Sequence, residues 1–361
     1  AANIRRSFRI SLPLLSDFMR KDLLPGFIFL FSILVAREIY PYAISNPNVD
    51  DKYQVQIIAE GLGGPTCLHF IDSEHLLLCD RDGGRILLFD ANFSSQVLIE
   101  GLHHPHGVLV ENDTLFVSES GRLTKYDFED NLASNPEILV EGIPSKNHQT
   151  NTINKLPNGT LIWHSGSTCN VCIEADERNA ALLWVNSTTG EHGILASGVR
   201  NSYDGVWVES IGYVFTDNGR DWEGDHPHEE INLLVEGGDY GWPNDTPETP
   251  IPAGSIPPIA VWTPHTSVNG IDVRPPNSDL PGTNTTVYAS VYGSWNTLLP
   301  QGHEIIRIDL GIDGQGHVVG EPIRFATDLG TPLPLRFHPD GDLYYATFGN
   351  GGNLYKISLN A

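Results

Sequence analysis

From about Tyr53 onward, apolar and polar positions alternate in short runs separated by Asn-Asp, Asp-Gly and Asn-Gly pairs. Residues 107–127, GVLVENDTLFVSESGRLTKYD, show the cycle most plainly, with three runs and two turns. It returns in LRFHPDGDLYYATFGNGGNLYKIS at 335–358. Successive side chains of a strand point to opposite faces, so this period predicts antiparallel strands joined by hairpins rather than helices.

A longer period lies over the first. IIAEGL at 57–62 returns as LIEGL at 98–102, LVEGI at 139–143 and ILASGV at 194–199, with a looser echo in FATDL at 325–329. Each is followed by a polar or Pro-containing joint and then a new apolar run. Repeats of about 40 to 65 residues with three or four strands each predict propeller blades. Six inner strands are expected, near residues 66–70, 107–110, 152–155, 202–208, 269–273 and 335–337. The run at 53–59 has no unit of its own. It is expected to complete the last blade and close the ring, which removes two open sheet edges. The expected fold is all-β, a six-bladed β-propeller with a central channel over residues 53–361. The later units are longer, and their excess lies in loops 217–241 and 244–264, where a rigid scaffold usually carries function.

Composition agrees: 36 Gly and 25 Pro against a single Met suit many short strands and tight turns. The net charge of −24 argues against nucleic acid or an anionic membrane surface as partner. It suits a neutral ligand such as a sugar, or a cationic one. The N-terminus differs. Arg5, Arg6, Arg9, Arg20 and Lys21 precede an apolar run at 23–36, which Arg37 and Glu38 interrupt. That run is shorter than the roughly 20 residues of a bilayer span and typical of a signal-peptide core. Residues 1–42 therefore read as a signal or anchor segment whose translation starts at Met19, with a buried N-terminal helix as the alternative. Residues 43–52 read as a linker. The expected location is outside the cytoplasm, secreted or anchored, with membrane contact only through this segment. Six N-x-S/T sequons (Asn92, Asn112, Asn158, Asn186, Asn244, Asn284) and four cysteines agree with export. Cys67 and Cys79 lie on neighbouring runs, placed to face each other across a hairpin. Cys169 and Cys172 form a lone CxxC with neither a second pair for zinc nor a thioredoxin-like βαβ setting.

Candidate chemistry concentrates between residues 198 and 243. Arg200 can hold an oxyanion through its planar fork. The turn Asn218-Gly219-Arg220-Asp221 offers main-chain carbonyls, and Asp221, Asp225, Glu229 and Glu230 add the hard oxygens that Ca²⁺ prefers. The same composition also reads as a polar loop with a solvated acidic tip. His106, His148, Arg200–Asn201 and His265 each precede an inner strand in a different unit, so the channel is expected to bring them together.

The order of motifs resembles the glucose/sorbosone dehydrogenase family, soluble six-bladed propellers that use pyrroloquinoline quinone (PQQ) with calcium. The resemblance rests on NHQTN at 147–151, SGSTCNVCIEADERNAALL at 165–183, GVRN at 198–201, TDNGRD at 216–221, EEIN at 229–232, GGDYGWP at 237–243, YGSWN at 292–296 and FHPDG at 337–341. It covers most of the chain from 53 to 357. It implies oxidation of an aldose or sugar aldehyde, with electrons passed to an external acceptor. His148 would be the catalytic base and Arg200 would stabilise charge on the reduced quinone. It implies that Gln149, Arg200, Asn201, Asn218 and His265 bind the cofactor. Gly219, Arg220 and Asp221 would bind calcium, the first two through their carbonyls. It also implies a local disulfide or packed thiols at Cys169 and Cys172.

The sequence departs from the family where basic residues meet the carboxylates of PQQ. Thr297 follows GSWN, with Gln301 in the next loop, and Thr331 and Leu333 stand where arginines are expected. His303, Arg307 and Arg336 are the nearest replacements. Each lost charge-assisted contact weakens binding by about 1.5–3 kcal/mol. Two other readings stay open: a non-catalytic, calcium-stabilised propeller that binds glycan or protein, and a calcium-dependent lactonase. The latter needs carboxylates from several blades, and joint-position candidates such as Glu119 are sparse.

Overall fold

The structure, a computed structural model, describes residues 47–360 except 223, 298 and 350. The segment expected over 1–42, with its start at Met19, lies outside the described residues. Two strands come first, β1 (Asn48–Val49) and β2 (Tyr53–Glu60). Blade I follows as β3 (Pro65–Phe70), β4 (Leu76–Asp80), β5 (Arg85–Phe89) and β6 (Ser95–Glu100). Blade II holds β7 (Gly107–Glu111), β8 (Thr114–Glu119), β9 (Arg122–Glu129) and β10 (Leu132–Val140). Blade III holds β11 (Thr150–Lys155), β12 (Leu161–Ser165), β13 (Ala181–Val185) and β14 (His192–Ser197). In blade IV the strands are β15 (Gly205–Val208), β16 (Gly212–Asp217), β17 (Glu229–Leu233) and β18 (Ala260–Trp262). Blade V has β19 (Val268–Val273), β20 (Thr286–Val291), β21 (Glu304–Ile312) and β22 (Val318–Thr327), with β1 added at its edge. Blade VI has β23 (Pro332–Phe337), β24 (Leu343–Thr347) and β25 (Asn353–Leu359), and β2 supplies its fourth strand.

The fold is an all-β, six-bladed propeller, and no helix occurs among the described residues. Inner strands β3, β7, β11, β15, β19 and β23 each touch the next, and β23 touches β3. The run at 53–59 closes the ring as expected, pairing with β25 from Tyr53↔Leu359 to Glu60↔Asn353. Within the stretch read as a linker, Asn48 and Val49 pair with Thr327 and Ala326.

Alternation gives each blade two apolar faces, and these meet between blades rather than in one central core. Six buried clusters result, one at each blade junction. Leu77, Leu88, Val108 and Leu115 join blades I and II, for example, while Val214, Ile231, Ile271 and Ile306 join IV and V. Burying each such side chain is worth about 1.5–3 kcal/mol. Buried hydroxyls add ties from a second strand to the next blade's inner strand. Ser118 donates to Asn151 O at 2.5 Å, Thr216 to Asn269 O at 2.8 Å and Ser290 to Leu333 O at 2.6 Å.

The recurring glycines of the sequence repeat sit where the outer strands β2, β6, β10 and β14 leave their blades. Gly61, Gly101 and Gly142 have φ of 71°, 77° and 76° with open space around a would-be Cβ. Conformation, not room, demands glycine there. Antiparallel order places these crossings and the loops between second and third strands on one face. His106, His148, Gln149, Arg200, Asn201, Asn218–Asp221 and His265 lie on those two kinds of loop, while Glu229 and Glu230 open β17.

Candidate active site

Blade IV sets Arg200 and Asn201 in place from below. Asp217, the last residue of β16, accepts the backbone N–H of Arg200 at 3.0 Å and of Asn201 at 2.7 Å. The Arg200 side chain is buried, and protein acceptors surround its guanidinium. Nε donates to Asn170 O at 3.2 Å and Nη1 to Asn218 O at 3.2 Å. Nη2 donates to Asn170 Oδ1 and to Asp221 Oδ2, both at 3.0 Å. Among the described residues four of its five N–H groups are thereby used, leaving one on Nη1. The Asp221 carboxylate, expected beside the metal, is engaged by this guanidinium.

His148 stands half-buried across Gly166 from Asn201. A Cβ built on Gly166 would lie 2.6 Å from His148 Cβ and 3.1 Å from Asn201 Oδ1, so the close approach requires glycine. His148 Nδ1 is 2.8 Å from Ser167 Oγ. Ser167 Oγ has one hydrogen and gives it to Cys169 O at 2.7 Å. It therefore accepts from His148, which fixes the proton on Nδ1 and leaves the Nε2 lone pair facing out. No described residue hydrogen-bonds to Nε2. Burial, and then the charge of Arg200, push the His148 pKa down to about 3, so the ring is neutral at any ordinary pH.

The other expected residues are distributed differently. Gln149 turns away from Arg200: its amide nitrogen is 2.6 Å from His106 Nε2, and its oxygen accepts from Ser120 Oγ at 2.8 Å. His106 is buried, with a pKa lowered to about 3 by burial and by Arg81. His265 donates from Nε2 to Gly224 O at 2.7 Å, tying the acidic loop of blade IV to the joint of blade V. No hydrogen bond among the described residues joins it to Arg200 or His148. The channel thus gathers His148, Arg200, Asn201, Asn218 and Asp221, and leaves Gln149–His106 and His265 as separate neighbours.

Beside the Asn218–Asp221 turn lies a small cavity whose lining includes Asp217, Asn218, Gly219, Glu230 and Asp245. Burial and the charge of Glu230 raise the Asp217 pKa well above the carboxylate range. Burial, reinforced by Asp245 and Glu229, raises Glu230 to about 7. Asn218 Oδ1 is buried without a hydrogen-bond partner among the described residues. Gly219 packs so close that a Cβ would lie 3.0 Å from His228 O, and its N–H donates to Glu229 Oε2 at 3.3 Å. Paired buried carboxylates, an orphaned amide oxygen and a tight turn make an acceptor-rich hollow suited to a hard cation. Asp217, Glu230 and Asp245 do not form a tight three-carboxylate cluster among the described residues. A cation there would draw on carbonyl and amide oxygen as well.

The three suggested basic replacements are committed elsewhere. Arg336 is paired with Asp204 at 3.0 Å and bonded to Ile271 O at 2.6 Å. Arg307 pairs with Asp309 at 3.3 Å on β21, and His303 Nδ1 bonds Gly330 O at 2.6 Å. Thr331 gives its hydroxyl to Phe348 O at 2.6 Å, Leu333 is buried, and Thr297 Oγ1 bonds Leu299 O at 2.7 Å. Sequence reasoning missed a different basic group. Arg81, in the turn between β4 and β5, pairs with Asp82 at 2.8 Å and lies over the Phe348 ring. Its charge reaches His104 and His106, and His103 stacks on His104 at 4.7 Å. The run HHPH at 103–106 was the visible signal. Asn170 was also missed, although CNVC frames it.

Residues 47–236 match the TrAA12-like protein family. No curated protein matches the sequence. Among solved structures, the holo form of the pyranose dehydrogenase PQQ domain from Coprinopsis cinerea is 18% identical. That match covers 87% of this chain and 97% of the other, with a TM-score of 0.73. A calcium structure of a Trichoderma reesei carbohydrate-active enzyme of family AA12 is 17% identical, covering 88% and 98% with a TM-score of 0.71. The PQQ-bound form of aldose sugar dehydrogenase from Streptomyces coelicolor is 18% identical, covering 87% and 100% with a TM-score of 0.67. At this identity the likeness speaks for the fold.

Proposed function

The chain belongs to the TrAA12-like family, and from that premise we propose that it is a sugar oxidoreductase that uses PQQ and calcium and passes electrons to an external acceptor. One observation carries the reading. His148 is held neutral, with Nδ1 protonated and Nε2 free, beside the buried charge of Arg200. A base that removes a hydroxyl proton from a sugar needs that lone pair, and hydride can leave the same carbon once the proton is gone. PQQ, when bound, supplies the hydride acceptor.

The residues present fit both groups. The last Nη1 hydrogen of Arg200 is available to an oxyanion, and Asn201 lies alongside. Arg81 with His103 and His104 offers positive charge or N–H donors to carboxylates from the opposite side of the channel. Calcium would be held by carbonyls of the Gly219–Arg220 turn, with Asn218 Oδ1 and the Asp217 and Glu230 carboxylates near. At the rim, Trp222 and Trp295 stand exposed, edge to face at 5.0 Å, and offer aromatic faces to a sugar ring. Relatives solved as a PQQ domain, a PQQ-bound form and a calcium structure support PQQ and calcium as the groups bound. We place the protein outside the cytoplasm, because its two disulfides suit an oxidising compartment.

A second reading, a calcium-held propeller that binds glycan without oxidising it, is favoured by the commitment of Arg336, Arg307 and His303 to protein partners. PQQ titration in the presence of Ca²⁺, with dye reduction followed across a panel of aldoses, separates the two. Saturable quinone binding with sugar oxidation is expected. Calcium binding with no quinone spectrum at high micromolar cofactor would leave the second reading.

A further inference from the structure

The sequence singles out CNVC, and the proposed chemistry leaves it unused. Cys169 and Cys172 are joined by a disulfide. A loop so short removes little entropy from the unfolded chain, so the bond acts mainly on local order. What it orders is specific. Cys169 O takes the Ser167 hydroxyl hydrogen, and that bond dictates the tautomer of His148. The next residue, Asn170, receives Arg200 twice, Nε on its carbonyl and Nη2 on Oδ1. Oδ1 also accepts the Asp221 N–H at 2.9 Å, and the carbonyl accepts Trp242 Nε1 at 3.1 Å. Two adjacent residues of one turn therefore orient both candidate catalytic side chains. The turn is reachable from solvent: Val171 is 42% and Ile173 92% exposed, with both cysteines half-buried. Behind it, Glu174 accepts the N–H and the hydroxyl of Thr168, each at 2.7 Å, which holds the ends of the turn without the disulfide.

We propose that the Cys169–Cys172 turn is a redox-addressable clamp on the active site, with Asn170 as the positioning residue for Arg200 and Cys169 O as the group that sets His148. The clamp rests on the proposed function only for what the positioned groups act upon. A dithiol would open it by passing two electrons and two protons to the S–S bond. That leaves two thiols on the turn and a disulfide on the reductant.

The test needs no cofactor. Amide hydrogen exchange and imidazole NMR are compared in the full chain when oxidised, when reduced by a dithiol, and in Asn170→Ala and Cys169→Ser/Cys172→Ser variants. A chelator is present, because the freed thiols and Glu174 would lie within 4.8 Å of one another. Reduction and the double serine variant should speed exchange about tenfold at Asp221 and His148, as expected for one lost hydrogen bond. The same change should raise the His148 pKa towards its ordinary value. Asn170→Ala should speed Asp221 and leave His148 unchanged, and Asn170→Asp, which keeps an acceptor for Arg200, should restore protection. Strand β4 should exchange as before throughout. Reduced protein, confirmed by mass, with unchanged exchange and titration would overturn the clamp. So would loosening spread over all six blades, which would mark the turn as merely structural. If quinone does not bind, these readouts still decide. Where it does bind, Asn170→Ala should lower kcat at constant sugar KM.

Discussion

The hydroxyl of Tyr203, at the start of blade IV, reaches across the channel to the carbonyl of Thr66 in blade I. Both groups are buried, and burial raises the phenol pKa well above its ordinary value, so it stays a donor. The bond joins opposite blades, which neighbour-to-neighbour packing cannot do. Tyr203→Phe leaves a buried carbonyl short of a donor and should lower stability by about 1–3 kcal/mol, read as a shift in the denaturant midpoint.

A second cross-channel tie should prove more expensive to break. Arg336 in blade VI pairs with Asp204 in blade IV, with the side chains 17% and 5% exposed. Removing Asp204 takes away the direct partner of a buried guanidinium and leaves it only the charge of Asp272 nearby. Asp204→Asn should therefore destabilise by about 3–5 kcal/mol. A loss below 1 kcal/mol in chemical unfolding would mean that solvent reaches the pair.

The clearest pH signature belongs to the buried imidazoles. Burial lowers His69 to about 4 and His106, His148 and His164 to about 3. The unfolded chain takes up these protons near pH 6.5, whereas the folded protein refuses them until far lower. Their stabilising contribution is thus full above pH 6.5 and is lost as pH falls from there towards 3. Imidazole NMR should show these four rings still neutral at pH 5. Titration of His148 near 6.5 would contradict the geometry around it.

Catalysis should separate two neighbours. Under the proposed function, His148→Ala should cut turnover by about 10²–10⁴-fold with quinone and calcium still bound, since the imidazole would act on substrate. Arg200→Ala should weaken quinone binding as well, because on that reading its charge would serve both binding and turnover. Steady-state kinetics beside a quinone titration distinguishes the two outcomes, and equal activity in His148→Ala would remove the base.

Calcium and the missing arginines offer one more pair of measurements. Glu230→Gln should reduce the thermal stabilisation conferred by added Ca²⁺, because a ligand held only by the folded state must stabilise it. Thr331→Arg should tighten PQQ about tenfold or more if that loop faces the cofactor, the effect of one charge-assisted contact. A titration curve unchanged from that of the unmodified protein would mean that the loop points elsewhere.

The six blades were legible because period-2 alternation marks the strands, and the left-handed glycines at 61, 101, 142 and 198 mark where four outer strands end. Resemblance to the glucose/sorbosone dehydrogenases also held, since many short motifs in fixed order constrain the family more tightly than identity does. Partner choice was not legible. Nothing local tells Gln149 to turn towards His106, Arg336 to cross to Asp204, or Asn170 to grip Arg200, because these contacts join residues from different blades or distant loops. The engagement of Asp221 by Arg200 has the same origin. A carboxylate 21 residues from an arginine in sequence reads as a metal ligand until the fold sets the two side by side.

The pairing of β2 with β25 fixes the order in which the molecule can be completed. β2 is the second strand made, and its partner emerges only near the end of synthesis. Until then blade VI lacks a strand and β2 is an unpaired edge. Blades I to V can form as they appear, but closure of the ring awaits the last strand. A ring that cannot shut early keeps β2 and the C-terminal strand β25 apart until the whole propeller sequence has been made.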